Sequence, residues 1–456
     1  MNRKTKTAYV CNECGQEYGK WQGKCTSCGT WDSVVEFKVP KSSSARSRAV
    51  ARSGGADIVP LAECNPESIQ RLTSELADFD RVLGGGLVPG SLTLVGGEPG
   101  IGKSTLLLQV LAHWAARSHT VVYVTGEESL EQVSLRARRL GIGDSSVLFL
   151  AETNTERICQ LFEQRRPHIV VVDSIQTMMC EELESTPGTV TQVRESAGVL
   201  MRYAKAHGCA VLLVGHVTKE GAIAGPRLLE HMVDTVLSFE GDANYQYRIL
   251  RALKNRHGPS GEIALFTMSD RGLAPLANAS ELFLAGGDDQ VGTAVVPVLE
   301  GSRVLVVELQ ALVNRTHYGM PQRVASGINP KRLALLVAVM ERHGGIPLGD
   351  HDIFFNVAGG LSIAEPAIDL GIIAALISSF RNRPLHRQAF VAEIGLGGEL
   401  RPVNNMQARI TELLRTGYRT IVVPPAHRAN EWASKRADCE LRHCARITDV
   451  LRVLFA

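Results

Sequence analysis

Apolar positions along this chain fall into two successive blocks. In the first, short apolar runs recur at Ser91–Gly96, Val121–Thr125, Val147–Leu150, His168–Asp173, Ala210–Gly215, Thr235–Glu240 and Arg248–Leu253. Runs such as HIVVVD and AVLLVG show no polar alternation, which is the pattern of strands covered by helices on both faces of a largely parallel sheet. Helical stretches separate the runs, so residues 58–270 are predicted to form one α/β domain. A second α/β pattern covers residues 271–456. Its predicted strands are Thr293–Val298, Val304–Gln310, Ile353–Val357, Ala389–Ile394 and Thr420–Val423, with helices near 330–343, 366–380 and 405–416. No internal repeat is visible. The longest apolar stretch, Leu370–Phe380, falls short of the roughly 18–20 residues that span a bilayer.

Composition sets the front of the chain apart. A chain of 456 residues, 45% hydrophobic and 21% charged, is an ordinary globular protein, which excludes global disorder and collagen-like structure. At about 150 residues per domain this length suits three domains. The net charge is +2, so any affinity for a polyanion must come from local patches. Residues 1–57 hold such an excess, ten Lys/Arg against five Asp/Glu. Within them Pro40–Gly55 (PKSSSARSRAVARSGG) is rich in Ser, Arg and Gly and has no acidic residue. Residues 38–57 are therefore expected to be a flexible basic linker behind a small unit, 1–37. The start, MNRKTKTAYV, is basic, but a CxxC interrupts it where a secretory signal needs its apolar stretch. A soluble, cytoplasmic protein without membrane contact is expected.

That small unit carries Cys11-x-x-Cys14 and Cys25-x-x-Cys28, separated by ten residues. The spacing suits two tight knuckles, each offering two thiolates to a tetrahedral Zn²⁺. Gly15 and Gly29 follow the second cysteine of each pair, where a knuckle turns through positive φ. In a reducing cytosol a disulfide pairing is the weaker alternative. With four protein ligands such a metal is structural. Tyr18, Trp21 and Trp31, set among Lys20 and Lys24, suit either the small core of this unit or contact with nucleic acid or a partner protein.

The core domain carries a phosphate cradle. Strand SLTLVG leads into Gly97-Glu98-Pro99-Gly100-Ile101-Gly102-Lys103-Ser104-Thr105 and then the helical run LLLQVLAHWAAR. This is GxxxxGK[ST] in its required context, strand before and helix after. Glycines let backbone N–H groups close around ATP phosphates, Lys103 neutralises phosphate oxygens and Ser104 is placed to ligate Mg²⁺. Asp173 ends a buried strand, where it can hold the Mg²⁺ shell through water. Glu127 and Glu128 stand at the tip of another strand. Glu127 is favoured as the carboxylate that activates water, with Glu128 as a helix N-terminal charge. His216 ends a further strand, where it could sense the γ-phosphate.

With these residues in place, LTSELADFDRVLGGGLVPGS, GEES, VVVDSIQT and GHVTKEGAIAGPRLLEHMVDTVLSFEGD resemble the bacterial RadA (Sms) recombination-repair family, relatives of RecA and of ring-shaped replicative helicases. The likeness extends over essentially the whole chain. It implies a zinc finger, a RecA-like ATPase, a KNRFG segment and a Lon-protease-like domain over 271–456. It places Glu127 on the catalytic glutamate and Asp173 on the Walker B aspartate. Lys254-Asn255-Arg256-His257-Gly258 stands for KNRFG, with His257 replacing the family phenylalanine. Lys254 and Arg256 are thereby implied to reach a neighbouring subunit's ATP or to bind DNA. Gln176–Arg194 and Val217–Arg227 fall where RecA-like proteins place DNA-facing loops. The second offers Lys219 and Arg227, whereas the first carries Glu181, Glu182 and Glu184.

Three activities compete: a DNA-stimulated ATPase, an ATP-fuelled protease and a regulatory ATPase that does not move on DNA. The protease needs a serine and a lysine of lowered pKa. Against the Lon pattern, Gly359–Ser379 puts Ala367 in the nucleophile position and Glu393–Tyr418 puts Arg409 at or beside the lysine. Ser362 has no lysine partner in that alignment. Alanine is no nucleophile and arginine no base. The resemblance instead implies a hexameric ring acting on single-stranded and branched DNA, with RecA as partner and ATP, Mg²⁺ and Zn²⁺ as cofactors. Arg381, Arg383, His386 and Arg387, with Lys331 and Arg332, suit a DNA-binding or ring-forming platform.

Overall fold

Three short strands gather around the first cysteines: β1 (Thr7–Cys11), β2 (Glu17–Tyr18) and β3 (Val34–Lys38), antiparallel in the order β2-β1-β3. The computed structural model describes residues 7–11, 17–26, 29, 31, 34–38, 60, 70–216, 228–241, 247–276, 279–284, 290–316, 319–425 and 439–455. The basic linker expected at 38–57 lies almost wholly outside them. The chain divides into two units, Met1–Pro275 and Leu276–Ala456.

The first unit is built on a nine-stranded sheet. Strands β4 (Leu92–Gly97), β5 (Val121–Thr125), β6 (Leu148–Ala151), β7 (Ile169–Asp173), β8 (Ala210–His216) and β9 (Thr235–Glu240) run parallel. An antiparallel meander of β10 (Tyr247–Asn255), β11 (Ile263–Ser269) and β12 (Gly272–Pro275) extends it, giving the order β12-β11-β10-β9-β4-β8-β7-β5-β6. Because β12 pairs with β11, this unit runs past the boundary expected at 270. Its helices are α1 (Ala77–Val82), α2 (Lys103–Ala116), α3 (Leu130–Arg139), α4 (Thr155–Arg165), α5 (Val190–His207) and α6 (Leu228–Met232).

Strand alternation explains the uninterrupted apolar runs. Ile169 and Val171 join Leu107, Leu111 and Trp114 of α2 in one core, while Val170 and Val172 join Phe162 of α4 and Leu200 of α5 in another. Each side chain of this kind contributes about 1.5–3 kcal/mol on full burial. Neither face of β7 tolerates a polar side chain until Asp173 at its tip.

The second unit holds a mixed sheet of β13 (Thr293–Glu300), β14 (Arg303–Arg315), β15 (Arg323–Ser326), β16 (His351–Val357), β17 (Gln388–Phe390), β20 (Thr420–Val423) and β21 (Glu440–His443), ordered β15-β16-β14-β13-β17-β20-β21. A separate pair, β18 (Glu393–Ile394) and β19 (Leu400–Arg401), stands beside it. Helices α7 (Ala279–Leu282), α8 (Pro330–Val339), α9 (Asp369–Arg381), α10 (Met406–Arg415) and α11 (Ile447–Val453) complete the unit. The strand predicted at Ala389–Ile394 is broken in two. Ala392 N–H bonds the Ala367 carbonyl and Ile394 N–H the Asp369 carboxylate, which draws the chain out of the sheet. The helix predicted near 330–343 is present, but its last turn changes type. It passes into a π turn at Met340–Gly344, closed by Gly345 at φ 66°. Helix α9 lies against β13 and β14, and a Cβ on Gly371 would fall 2.1 Å from Val296 Cγ1. Among the described residues no helix is long and apolar enough to cross a membrane.

Candidate active site

Strand β4 ends at Gly97 and the chain doubles back through Glu98, Pro99, Gly100, Ile101 and Gly102 before α2 opens at Lys103. Gly100 and Gly102 adopt φ of 76° and 112°, a region costly for any residue with a Cβ. Gly97 meets a different constraint, since a Cβ there would lie 2.5 Å from the Phe239 carbonyl oxygen. The loop is thus packed tightly on β9. Lys103 is buried and its Nζ donates to the carbonyls of Gly97 (2.7 Å) and Glu98 (2.9 Å). Burial holds its pKa below the ordinary lysine value, opposed by the nearby carboxylates of Asp173, Glu127 and Glu98. Ser104 and Thr105 occupy the first turn of α2, half-buried.

Asp173 is buried at the tip of β7 and accepts a short hydrogen bond from the hydroxyl of Tyr123. That tyrosine is itself fully buried, and burial with the adjacent carboxylate pushes its pKa well up. The two glutamates at the tip of β5 separate. Glu128 pairs with Arg136 of α3, and its backbone N–H bonds Thr125 Oγ1 at 3.0 Å. Glu127 is exposed and accepts a hydrogen bond from the hydroxyl of Ser174, the residue after Asp173. Gly126 permits this approach, as a Cβ there would lie 2.1 Å from Thr177 Oγ1. Glu127 therefore turns toward Asp173 and Lys103, while Glu128 is tied to the helix behind it.

His216 is the last residue of β8, in register with Gly97 of the phosphate loop. Its side chain lies outside the described residues, as do Lys219, Arg227 and the segment 217–227. Gln176–Arg194 forms a short turn at Ile175–Thr177 and leads into α5, with Glu181, Glu182 and Glu184 exposed.

The KNRHG segment sits elsewhere. Strand β10 runs antiparallel to β9, so Asn255 pairs with Thr235, which pairs with Thr93 at the start of β4. Lys254 and Arg256 are thus at the opposite end of the sheet from the phosphate loop, about 13 Å along the strands. Lys254 Nζ donates to the carbonyls of Glu230 (2.6 Å) and Val233 (2.8 Å), closing the end of α6. The Arg256 side chain is 53% exposed, with Nη1 3.3 Å from Asp234 Oδ1. Arg71 donates to the His257 carbonyl at 2.5 Å, and Gly84 and Gly258 are in backbone contact that a Cβ on either would block. The LGGG and KNRHG segments therefore form one joint.

Two residues that the sequence did not point to brace the loop and the helix that follows it. Arg248, on the opening stretch of β10, donates from Nε to the Ile101 carbonyl at 3.3 Å. Gln109 of α2 exchanges hydrogen bonds with Leu273 of β12, accepting from its N–H (3.0 Å) and donating to its carbonyl (3.3 Å). Both depend on the antiparallel meander, which local sequence does not reveal. Tyr123 carried a detectable signal, a hydroxyl inside a fully buried strand.

At the front of the chain Cys11 and Cys25 share one solvent-free cluster with Val34. Gly29 N–H bonds the Cys25 carbonyl at 2.8 Å with φ of 78°, the expected knuckle turn. Cys14, Gly15 and Cys28 lie outside the described residues. Two buried thiols brought together around such a turn fit a thiolate-bound metal. Tyr18 packs on this cluster, its hydroxyl 3.1 Å from Cys25 Sγ, whereas Trp21 and Trp31 are 60% and 69% exposed.

In the second unit Ala367 is buried and Arg409 is 2% exposed. Arg409 forms a two-pronged pair with Glu365 (2.9 and 2.7 Å) and also donates to the carbonyls of Pro297 (2.6 Å) and Asn404 (2.9 Å). Every nitrogen of the guanidinium is engaged. Ala367 thus offers no nucleophile and Arg409 no base, its guanidinium being held in an ion pair with Glu365.

The comparisons agree with this geometry. The model of the family described as AAA domain matches residues 60–222, and that of the rubredoxin metal binding domain matches residues 9–36. The DNA repair protein RadA of Haemophilus influenzae is 46% identical over 100% of this chain and 99% of its own. That of Pseudomonas aeruginosa is 49% identical over 92% and 93%, and that of Bacillus subtilis 44% over 98% of both. With an N-terminal metal-binding ribbon, a P-loop ATPase core and relatives matched from end to end, the chain belongs to the RadA family of DNA repair proteins.

Proposed function

We propose that this chain is a DNA-dependent ATPase that works as a hexameric ring and moves along single-stranded DNA at branched recombination intermediates. The observation that carries the reading is the division of the site. Lys103, Glu127 and Asp173 gather at one end of the sheet, and Arg256 stands half exposed at the other. Arg256 cannot serve the nucleotide of its own subunit, but a neighbour stacked head to tail would bring it to the next one. Lys254, spent on the end of α6, is the weaker candidate for that role.

Within the site, the P-loop N–H groups and Lys103 hold the phosphates, and Glu127, oriented by Ser174, takes the proton of the attacking water. Ser104 and Asp173 would hold Mg²⁺, which supplies charge neutralisation at the phosphates. His216 would report the γ-phosphate to the loop 217–227, where Lys219 and Arg227 would meet the DNA backbone. Cys11, Cys14, Cys25 and Cys28 would hold a structural Zn²⁺, whose binding energy folds a segment too small to fold alone. The second unit is read as a Lon-like platform without peptidase chemistry, consistent with the saturated Arg409. A cytoplasmic setting and RecA as partner follow from the family likeness.

The test is ATP hydrolysis with and without single-stranded DNA, alongside a labelled forked DNA and a Lys103→Ala control. DNA-stimulated hydrolysis with strand separation, both lost in the control, is expected. Hydrolysis indifferent to DNA with the fork intact would turn the reading to a regulatory ATPase.

A further inference from the structure

We infer that Trp21 and Trp31 form a base-stacking platform through which the metal-binding ribbon holds single-stranded nucleic acid. The inference deepens the DNA-dependent reading above and rests on it for the identity of the polymer. It starts from a division among the aromatic residues of the ribbon. Tyr9 and Tyr18 pack against Cys11, Cys25 and Val34 and complete the small core. The two indoles, the largest apolar side chains of the ribbon, are left 60% and 69% exposed. Scattered surface hydrophobics are ordinary, but these two share one knuckle. The Trp21 ring lies over the Gly23 backbone, its Cη2 3.7 Å from where a Cβ on Gly23 would stand. Next in the chain, Lys24 forms a backbone bridge with Trp31 and sets its Nζ 5.4 Å from the centre of that ring.

Charge selects the occupant. Lys20 adjoins Trp21 and Lys24 approaches the Trp31 ring, while the nearest acids in the sequence, Glu17 and Asp32, lie just outside the Tyr18–Trp31 segment. Flat π faces flanked by ammonium groups are the combination that binds unpaired bases and the phosphates joining them. A duplex hides its base faces, so the ligand is single-stranded, and the contact is indifferent to sequence.

The experiment uses the full-length zinc-loaded protein, a dT oligonucleotide and an abasic sugar–phosphate oligomer of equal length. Zinc content and DNA-free ATP hydrolysis verify the folding of each variant. Wild-type protein is expected to bind dT more tightly than the abasic chain. Trp21→Ala with Trp31→Ala should lose about tenfold in dT affinity per indole and nothing on the abasic chain, while Trp21→Phe with Trp31→Phe recovers part of the loss. Without any variant, dT and not the abasic chain should shield wild-type tryptophan fluorescence from acrylamide. Unchanged dT affinity in the alanine variant, or unchanged quenching, overturns the inference and assigns the indoles to a protein partner. Binding is read apart from hydrolysis. A stacking platform on an enzyme whose turnover ignores DNA would therefore fault the motor reading and leave the ribbon assignment standing.

Discussion

Two inactive variants should repair each other when mixed. Lys103→Ala removes the ammonium that lies inside the phosphate loop, and Arg256→Ala removes the guanidinium at the far end of the sheet. The second change is mild for the fold, since Arg256 is 53% exposed and its contact with Asp234 is 3.3 Å long. Such a pair is worth about 1 kcal/mol or less. For catalysis, loss of an arginine supplied in trans costs about 10³–10⁵ in kcat. In a ring assembled at random from equal amounts of the two variants, a competent interface needs an intact loop on one side and an intact Arg256 on the other. That combination arises at about one interface in four, so the mixture should regain about a quarter of the wild-type rate. The assay is steady-state ATP hydrolysis after co-assembly, with each variant alone as baseline. No recovery, or an Arg256→Ala protein of normal activity, would refute the argument that the site is shared.

Further outcomes follow from the same geometry. Glu127→Gln should lower single-turnover hydrolysis by about 10²–10⁴ with nucleotide binding intact, whereas Glu128→Gln, which loses only its contact with Arg136, should leave the rate nearly unchanged and lower thermal stability slightly. Arg248→Gln should weaken ATP binding by about tenfold, as a charge-assisted bond to the loop at Ile101 is lost; titration calorimetry reads this directly. Nucleotide affinity should fall on the alkaline side. Burial lowers the Lys103 pKa in the free protein, bound phosphate raises it, and the complex therefore retains a proton that the free protein loses as pH rises; calorimetry from pH 7 upward checks the sign. Arg409→Met should cost about 1–3 kcal/mol of stability by leaving the half-buried Glu365 and the carbonyls of Pro297 and Asn404 without their donor, and denaturant unfolding measures it.

The central strands were legible because burial on both faces leaves no choice of side chain, as at Ile169–Asp173. The phosphate loop was legible because GxxxxGK[ST] is a local pattern, set between a strand and a helix that the same stretch of sequence announces. What escaped the sequence depends on distant partners. The direction of β10 decides that Arg248 meets the phosphate loop and Arg256 does not, yet nothing in YRILRALKN states that direction. Strand β14 was predicted to stop at Gln310, a polar position that follows closely on Glu308. It continues to Arg315, where Ala311 and Val313 face inward and Leu312 and Asn314 outward. The break at Val391–Ala392 was hidden because an apolar run reads the same whether its N–H groups bond a neighbouring strand or a buried carboxylate. The preference for Glu127 over Glu128 was open to sequence reasoning, but the partner that ties Glu128 down, Arg136 two helix turns along, was seen only in the structure.

The Gln109 amide has a mechanical meaning. It grips β12 from both sides, and Gly272 must lack a side chain for the grip to close, since a Cβ would lie 2.7 Å from Gln109 Oε1. Two residues beyond Leu273 the first unit ends, and the chain enters the second at Leu276. Gln109 belongs to the same rigid helix that begins with Lys103. Through that one side chain the helix that follows the phosphate loop is fixed to the strand with which the first unit closes. The edge strand is thereby anchored to the nucleotide end of its own unit as well as to its neighbour β11.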